Sequence, residues 1–436
     1  MILVVGMARS GVAAARLLKN RGKDVFVTDS GNPKGVEELR SAGIRHETGG
    51  HTLDLFLAAE EIVLSPGVPP DIAPMQAARK HGVPIVSELE LASRYLQGSI
   101  IAITGSNGKT TTTTLVGEIM KASGSKVQVG GNIGTAMCGL VETSTRETVN
   151  VIEVSSFQLE GIRSFRPNTA AVLNVTPDHL DRYAGFAEYR MAKFRIFENQ
   201  QASDFAVLNK DDAQIVPPPV PISSTVRYFS RKEVLSVGAS RNAQTLCLNG
   251  KAVVPVSDVR LRGEHNIENV LAAMAIVDGY GVSVPTLAAA IKEFRGVEHR
   301  IEFVRELNGV QYFNDSKATN VDSTIKAVDS FERNLIVILG GRDKGSPYEP
   351  LVAAMTGRVK HVLLIGESAE RIGAAIGAAI PTRRAASLED AVGQAAALSA
   401  PGDTVLLSPA CASYDMFENY EHRGRVFKQA VQELGA

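Results

Sequence analysis

The chain reads as an α/β protein of three domains, and three observations predict that class. Short β-branched runs alternate with longer, alanine-rich stretches at helical spacing along most of the 436 residues. Most of the runs are apolar throughout, as strands of a parallel sheet covered on both faces must be. Many end in Gly, Ser or Thr and pass directly into a helix-forming segment, which is the pattern of βα units. Ligands of such sheets bind at the carboxyl ends of the strands, so the residues just after each run need the closest reading.

In the N-terminal part the runs are Ile2–Val5, Val25–Thr28 and Ile62–Ser65. Gly6-Met7-Ala8-Arg9-Ser10-Gly11 follows the first and Asp29 ends the second, close to a dinucleotide fingerprint. Ala8 stands at the middle glycine position, so an NAD site is a poor fit. A tight turn with packing glycines and a cradle for the diphosphate of another nucleotide both remain open. The middle part holds Ile100–Thr104, Val151–Val154 and Ala170–Val175. Pro217–Pro221 is a loop, and Leu246–Val256 folds at Asn249-Gly250 into a β-hairpin, an antiparallel extension of the middle domain. Asn334–Leu339, Val362–Ile365 and Thr404–Leu407 supply the last domain. Breaks near Arg94–Gly98 and Gly296–Glu298 give domains 1–93, 94–297 and 298–436, each of ordinary size.

Composition excludes several functions. Lys and Arg total 46 against 47 Asp and Glu, a net charge of −1, which argues against a dedicated nucleic-acid or anionic-membrane binder. Cys138, Cys247 and Cys411 are far apart and form no C-x-x-C pair, so neither a disulfide framework nor a cysteine zinc site is expected. No apolar run reaches the ~18 residues of a membrane span, and the first residues carry no basic segment of a signal peptide. A cytoplasmic protein without a membrane span is expected.

The strongest local signal is Thr104-Gly105-Ser106-Asn107-Gly108-Lys109-Thr110-Thr111, directly after the run Ile100–Thr104. Backbone N–H groups of such a turn point at phosphate oxygens, and a helix opening at Lys109 adds positive potential. Lys109 suits the β- and γ-phosphates of ATP, and the Thr110 hydroxyl suits Mg²⁺. Ile103 stands where the longer P-loop pattern has its first glycine, leaving G-x-x-G-K-T; a chance loop is the plainer alternative. Two further candidates follow later strands. Glu153 is an oxygen donor of the kind Mg²⁺ prefers, whereas His179 is a less usual ligand. Taken alone, Glu153 could be a helix-capping carboxylate and His179 a loop histidine.

Six collinear motifs then carry a resemblance. They are the Thr104–Thr111 loop, Gly130-Gly131-Asn132-Ile133-Gly134, Glu153-Val154-Ser155-Ser156-Phe157-Gln158-Leu159, Asn174-Val175-Thr176-Pro177-Asp178-His179-Leu180-Asp181, Gly263-Glu264-His265-Asn266-Ile267-Glu268-Asn269 and Glu298-His299-Arg300-Ile301-Glu302. In that order they resemble the Mur ligase family, ATP-dependent amide-forming enzymes of peptidoglycan precursor assembly. Asn314-Asp315-Ser316-Lys317-Ala318-Thr319-Asn320 and Ser408-Pro409-Ala410-Cys411-Ala412-Ser413 resemble the member that adds D-glutamate. The Asp-Asn-Pro-Arg motif of the diaminopimelate-adding member is absent. Arg9, Pro177 and Tyr420 stand at positions that vary among relatives, which bears on substrate affinity more than on reaction class.

The resemblance implies a Rossmann-like UDP-binding domain, a central P-loop ATPase-like domain and a Rossmann-like C-terminal domain. It implies that ATP converts the carboxylate of UDP-N-acetylmuramoyl-L-alanine to an acyl phosphate, which the D-glutamate amine attacks, leaving ADP and phosphate. Gly105, Ser106, Asn107, Gly108, Lys109, Thr110 and Thr111 would hold ATP, with Asn269, Arg300 and Asp315 on adenine, phosphate and ribose. Thr110, Glu153, His179 and Lys193 would serve Mg²⁺. Lys193 aligns with a lysine that is carbamylated in the family (N6-carboxylysine); by itself it reads as a helix-surface lysine. Lys109, His179, Lys193 and Asn132 would be catalytic. Ser10, Asp29, Ser30, Gly67, Asn132 and Ser156 would hold the UDP substrate, and Lys317, Thr319, Lys344, Ser413 and Tyr420 the D-glutamate. A monomer acting on small molecules is expected. Two competitors stay open at this point. Folylpolyglutamate synthetase shares the ATP core, but the UDP-sized N-terminal domain and the Asp315–Thr319 motif count against it. A nucleotide switch without ligase chemistry would bind ATP and release no substrate-dependent phosphate.

Overall fold

The apolar runs become the inner strands of three sheets. The computed structural model describes residues 1–31, 33, 35–177, 182–343, 345 and 347–435. These form two units, Met1–Asp258 with Ile267–Lys292, and Val259–Asn266 with Glu293–Ala436.

The first unit contains two sheets. One is wholly parallel, with β1 (Ile2–Val5), β2 (Val25–Asp29), β3 (Arg45–Thr48), β4 (Glu61–Leu64) and β5 (Ile85–Ser87) in the order β3-β2-β1-β4-β5. The order reverses beside β1, and such a reversal opens a crevice at the carboxyl ends of the strands. The second sheet comprises β6 (Ser99–Thr104), β7 (Lys126–Gly131), β8 (Thr148–Glu153), β9 (Thr169–Val172), β10 (Phe205–Asn209), β11 (Thr225–Ser230), β12 (Ala239–Asn242), β13 (Thr245–Leu248) and β14 (Lys251–Pro255). Its order is β14-β13-β12-β11-β10-β9-β6-β8-β7, so β6 lies between β8 and β9. Every residue of β8 and β9 is buried, the polar Thr148, Asn150 and Glu153 of β8 included, as central strands covered on both faces are. Fully burying a Val, Leu or Ile side chain contributes about 1.5–3 kcal/mol, so these strands anchor whatever their ends carry.

The β13–β14 hairpin turns at Asn249-Gly250, both at positive φ, as a two-residue type I′ turn requires. It extends the parallel sheet in the antiparallel sense, as expected.

The second unit holds one sheet: β15 (Glu302–Leu307), β16 (Val310–Asn314), β17 (Leu335–Gly340), β18 (Val359–Ile365), β19 (Thr382–Arg384) and β20 (Thr404–Leu407). Their order is β15-β16-β20-β17-β18-β19. All its pairs are parallel except β15–β16, an antiparallel edge hairpin. The turns after β16 and β20 therefore leave adjacent strands at the same end of the sheet.

Candidate active site

In the first unit β6 delivers the chain into Gly105–Gly108 and the helix Lys109–Ala122. Gly108 has φ +80°, and a Cβ there would stand 2.1 Å from Asn269 Oδ1, so only glycine fits. Asn269 thus lies against the loop. Among the described residues no side chain caps this helix, which leaves its first N–H groups and positive end open to an anion. Asn107 N–H donates to Asn174 Oδ1 (2.8 Å) and the Asn174 amide donates back to Asn107 O (3.0 Å). The Ser106 hydroxyl donates to Thr176 O and meets the Tyr189 phenol, each at 3.0 Å. The loop is held in shape by the segment that follows β9.

Glu153 ends β8 and is almost wholly buried. The Thr110 hydroxyl donates to its Oε2 (2.8 Å) and the Asn132 side-chain amide to its Oε1 (2.9 Å). Asn132 N–H also donates to Glu153 O at 2.9 Å. Three residues far apart in sequence thus converge at the foot of the uncapped helix. A carboxylate beside a hydroxyl is an oxygen donor set suited to a hard divalent cation.

Two lysines meet on one carbonyl. Lys109 Nζ donates to Gly105 O at 2.8 Å and to Ser106 O at 3.0 Å, while Lys193 Nζ donates to the same Gly105 O at 2.9 Å. Lys193 is 1% exposed, with its nitrogen 4.4 Å from the Tyr189 ring centroid. It is an interior group and not the helix-surface lysine that its sequence alone suggests. His179 lies outside the described residues.

A cavity of about 500 Å³ opens at the carboxyl ends of β1, β2 and β4 and extends to Asn132. Ser10, Asp29, Ser30 and Gly67 all line it. Asp29 accepts from Met7 N–H and Gly31 N–H, each at 2.8 Å, and so also holds the turn. A Cβ on Gly11 would stand 1.8 Å from Gly6 O, so this glycine serves close packing of helix on strand. Ser156 is buried and does not line the cavity; Gln158, two residues later, does. His51 and Arg9 line it too, and neither was singled out as a site residue from sequence.

The second unit gathers the remaining candidates at the ends of β16 and β20. Asp315 is buried: it accepts from Ser408 Oγ (2.7 Å) and Ile301 N–H (3.2 Å). Burial pushes its carboxyl up to about 7, although the Ser408 hydroxyl and the Arg300 charge act in the opposite direction. Lys317 Nζ donates to the Tyr420 hydroxyl at 2.6 Å and lies 4.0 Å from that ring's centroid. Thr319 N–H donates to Lys317 O, and Ser413 is buried in the turn after β20. Arg423, in the helix Tyr420–Glu433, is fully buried and bonds Ser316 O (2.9 Å) and Cys411 O (3.2 Å), tying the two turns together. Burial lowers its guanidinium to about 10. An arginine in an amphipathic helix reads as a surface residue, so nothing in the sequence signals this role. Lys344 lies outside the described residues.

Comparison with known proteins adds a third line. Residues 1–87 match the Mur ligase MurD-like N-terminal domain, 103–277 the Mur ligase middle domain, and 299–411 the Mur ligase glutamate ligase domain. The chain is 48% identical to a UDP-N-acetylmuramoylalanine–D-glutamate ligase of Solibacter usitatus, covering 99% of this chain and 97% of that one. It is 45% identical to the ligase of the same name from Koribacter versatilis over 99% and 97%. Among solved structures, the UDP-N-acetylmuramate–alanine ligase of Thermotoga maritima shares the fold with a TM-score of 0.63 at 20% identity, covering 99% of each chain. The MurF ligase of Thermotoga maritima, in complex with ADP, also gives 0.63, at 16% identity over 94% and 95%.

Proposed function

The chain belongs to the Mur ligase family, and from that premise we propose that it joins D-glutamate to UDP-N-acetylmuramoyl-L-alanine at the expense of ATP. The observation that carries the reading is the Thr110–Glu153–Asn132 cluster. It lies at the foot of the uncapped phosphate-loop helix, and its Asn132 also lines the cavity at the ends of β1, β2 and β4. Nucleotide chemistry and a sugar-nucleotide carboxylate therefore meet at one side chain.

The reaction joins two anions and then an amine, so the protein's task is positioning and charge screening. A carboxylate oxygen of the alanyl end attacks the γ-phosphorus of ATP, the bond to the β,γ-bridging oxygen breaks, and ADP leaves. The D-glutamate amine, having lost a proton, attacks the acyl carbon, and phosphate departs as the amide forms. The loop N–H groups and Lys109 hold the phosphates through the first step. Asn132 orients the sugar-nucleotide carboxylate beside them. Thr110 and Glu153, with His179, would hold Mg²⁺, which supplies screening of the phosphate charge when bound. Lys193 as a carbamate turns a cation into an anion beside that site. Asn269, Arg300 and Asp315 complete the nucleotide contacts. Lys317, Thr319, Lys344, Ser413 and Tyr420 receive the D-glutamate carboxylates. On this reading residues 1–93 bind the UDP group, 94–297 bind ATP, 298–436 bind the amino acid, and the enzyme works as a cytoplasmic monomer.

The test is ADP release by the purified full chain with ATP and Mg²⁺. Release that needs UDP-N-acetylmuramoyl-L-alanine and D-glutamate together is expected. ATP hydrolysis indifferent to both substrates would replace the ligase by a nucleotide switch.

A further inference from the structure

The cavity at the ends of β1, β2 and β4 has a charge balance that its glycine turn does not explain. Among the described residues lining it, Asp29 is the only acid and Arg9 the only lysine or arginine. Asp29 is held in place at the cavity end of β2 by the Met7 and Gly31 backbone N–H groups. Without Arg9 the lining would be net negative, a poor environment for a phosphorylated ligand. Arg9 is the first residue of the twelve-residue helix Arg9–Asn20, whose first turn contains no acidic side chain and no side-chain cap. Among the described residues Arg9 makes no hydrogen bond and no ion pair. The carboxyl that feels its charge, Glu88, is buried and already accepts from Cys138 N–H. A guanidinium without a structural task, beside an open helix N-terminus and on the wall of a 500 Å³ cavity, is placed for a ligand's phosphates.

We propose that Arg9 is a specificity-determining residue of the sugar-nucleotide site, pairing through its guanidinium fork with the diphosphate of the UDP group. This rests on the reading that the cavity holds a uridine nucleotide. The neighbouring Ser10 hydroxyl and the first-turn N–H groups complete the contact. Arg9 offsets Asp29, so the doubly charged bridge meets a lining that is balanced and not net negative. The consequence is a division of labour within the site. The helix end and Arg9 recognise the diphosphate, while the rest of the cavity recognises the nucleoside. Because the side chain is exposed, its contribution belongs at the lower end of the range for a charge-assisted contact, about tenfold in affinity.

The experiment compares UDP and uridine binding by calorimetry to the full-length wild type, Arg9→Ala and Arg9→Lys, alongside steady-state kinetics. Arg9→Ala should weaken UDP about tenfold and raise KM for UDP-N-acetylmuramoyl-L-alanine by a similar factor. Uridine binding, KM for ATP and kcat should stay near wild type, and Arg9→Lys should recover part of the loss. A steeper fall of UDP affinity with salt in the wild type than in Arg9→Ala is a second expected sign. Unchanged UDP affinity in Arg9→Ala, or equal weakening of UDP and uridine, would overturn the role of Arg9. A wild type that binds neither UDP nor uridine would instead overturn the reading on which the proposal rests.

Discussion

Lys193 offers the sharpest test of the chemistry. Its ammonium and that of Lys109 both bond to Gly105 O, at 2.9 and 2.8 Å. The two nitrogens can therefore be no farther apart than those two lengths combined. Like charges about 5 Å apart at an effective dielectric of ~20 repel by about 3 kcal/mol. Burial of Lys193 at 1% exposure removes the solvent that would relieve this. A carbamate on Lys193 would turn the repulsion into attraction of similar size and offer anionic oxygens beside the phosphate loop at Gly105. Lys193→Arg keeps the charge but cannot form a carbamate, so turnover should fall by about 10²–10³, the loss typical of one transition-state electrostatic contact. ADP release is the assay, in buffer stripped of CO₂ and then supplemented with bicarbonate. Wild-type activity should drop on stripping and return on addition, and ¹³C-bicarbonate should give a carbamate resonance that Lys193→Arg lacks. The Arg side chain is also bulkier, so the bicarbonate response of the wild type decides independently. Full wild-type activity without CO₂, or an active Lys193→Arg, would refute the argument.

Two further outcomes are expected. Lys109→Ala should lower turnover by about 10²–10³ with an unchanged circular dichroism spectrum, because it removes a cation from the phosphate loop and not a core contact; near-normal turnover would remove the loop from the reaction. Asp315→Asn should raise the melting temperature at pH 8, with the gain vanishing as pH falls toward 4. Burial lifts this acid from 3.8 to about 7, so the folded chain keeps a proton over a range where the unfolded chain has released it. Native stability therefore declines as pH rises through that window, by about 4 kcal/mol at 1.36 kcal/mol per pH unit. The Ser408 hydroxyl can rotate to accept from the new amide. A stability difference indifferent to pH would exclude burial of the charge as its source.

Much of this molecule was legible in its residue order. Apolar runs buried on both faces have no polar alternation to blur them, and each of the nine read from sequence overlaps a strand, although Ala170–Val175 runs three residues past the end of β9. Polar edge strands were missed: Arg45–Thr48 and Thr382–Arg384 carry no apolar run, because one side of each faces away from the sheet and needs none. The β15–β16 hairpin turns at Asn308-Gly309, the same signal as Asn249-Gly250, and was overlooked although both residues have positive φ. The helix Lys109–Ala122 contains five consecutive threonines, a β-branched run that propensity alone would make a strand. The glycine turn before it and burial of Thr111, Thr112 and Thr113 impose the helix.

The sequence by itself determined the phosphate loop and the order of motifs, because backbone N–H geometry at a glycine turn needs only neighbours in the chain. It could not show which distant residues share a carboxylate, since the pairing of Thr110, Asn132 and Glu153 depends on β6, β7 and β8 lying side by side. Nor could it show that Lys193 is interior or that Arg423 bridges two turns. A charged side chain on a helix looks solvated until the tertiary structure brings carbonyls to it. Gly105 O does so for Lys193, and Ser316 O and Cys411 O do so for Arg423. Burial of a charge is decided by what packs over it, and that packing is a property of the assembled sheets, with no local trace in the chain.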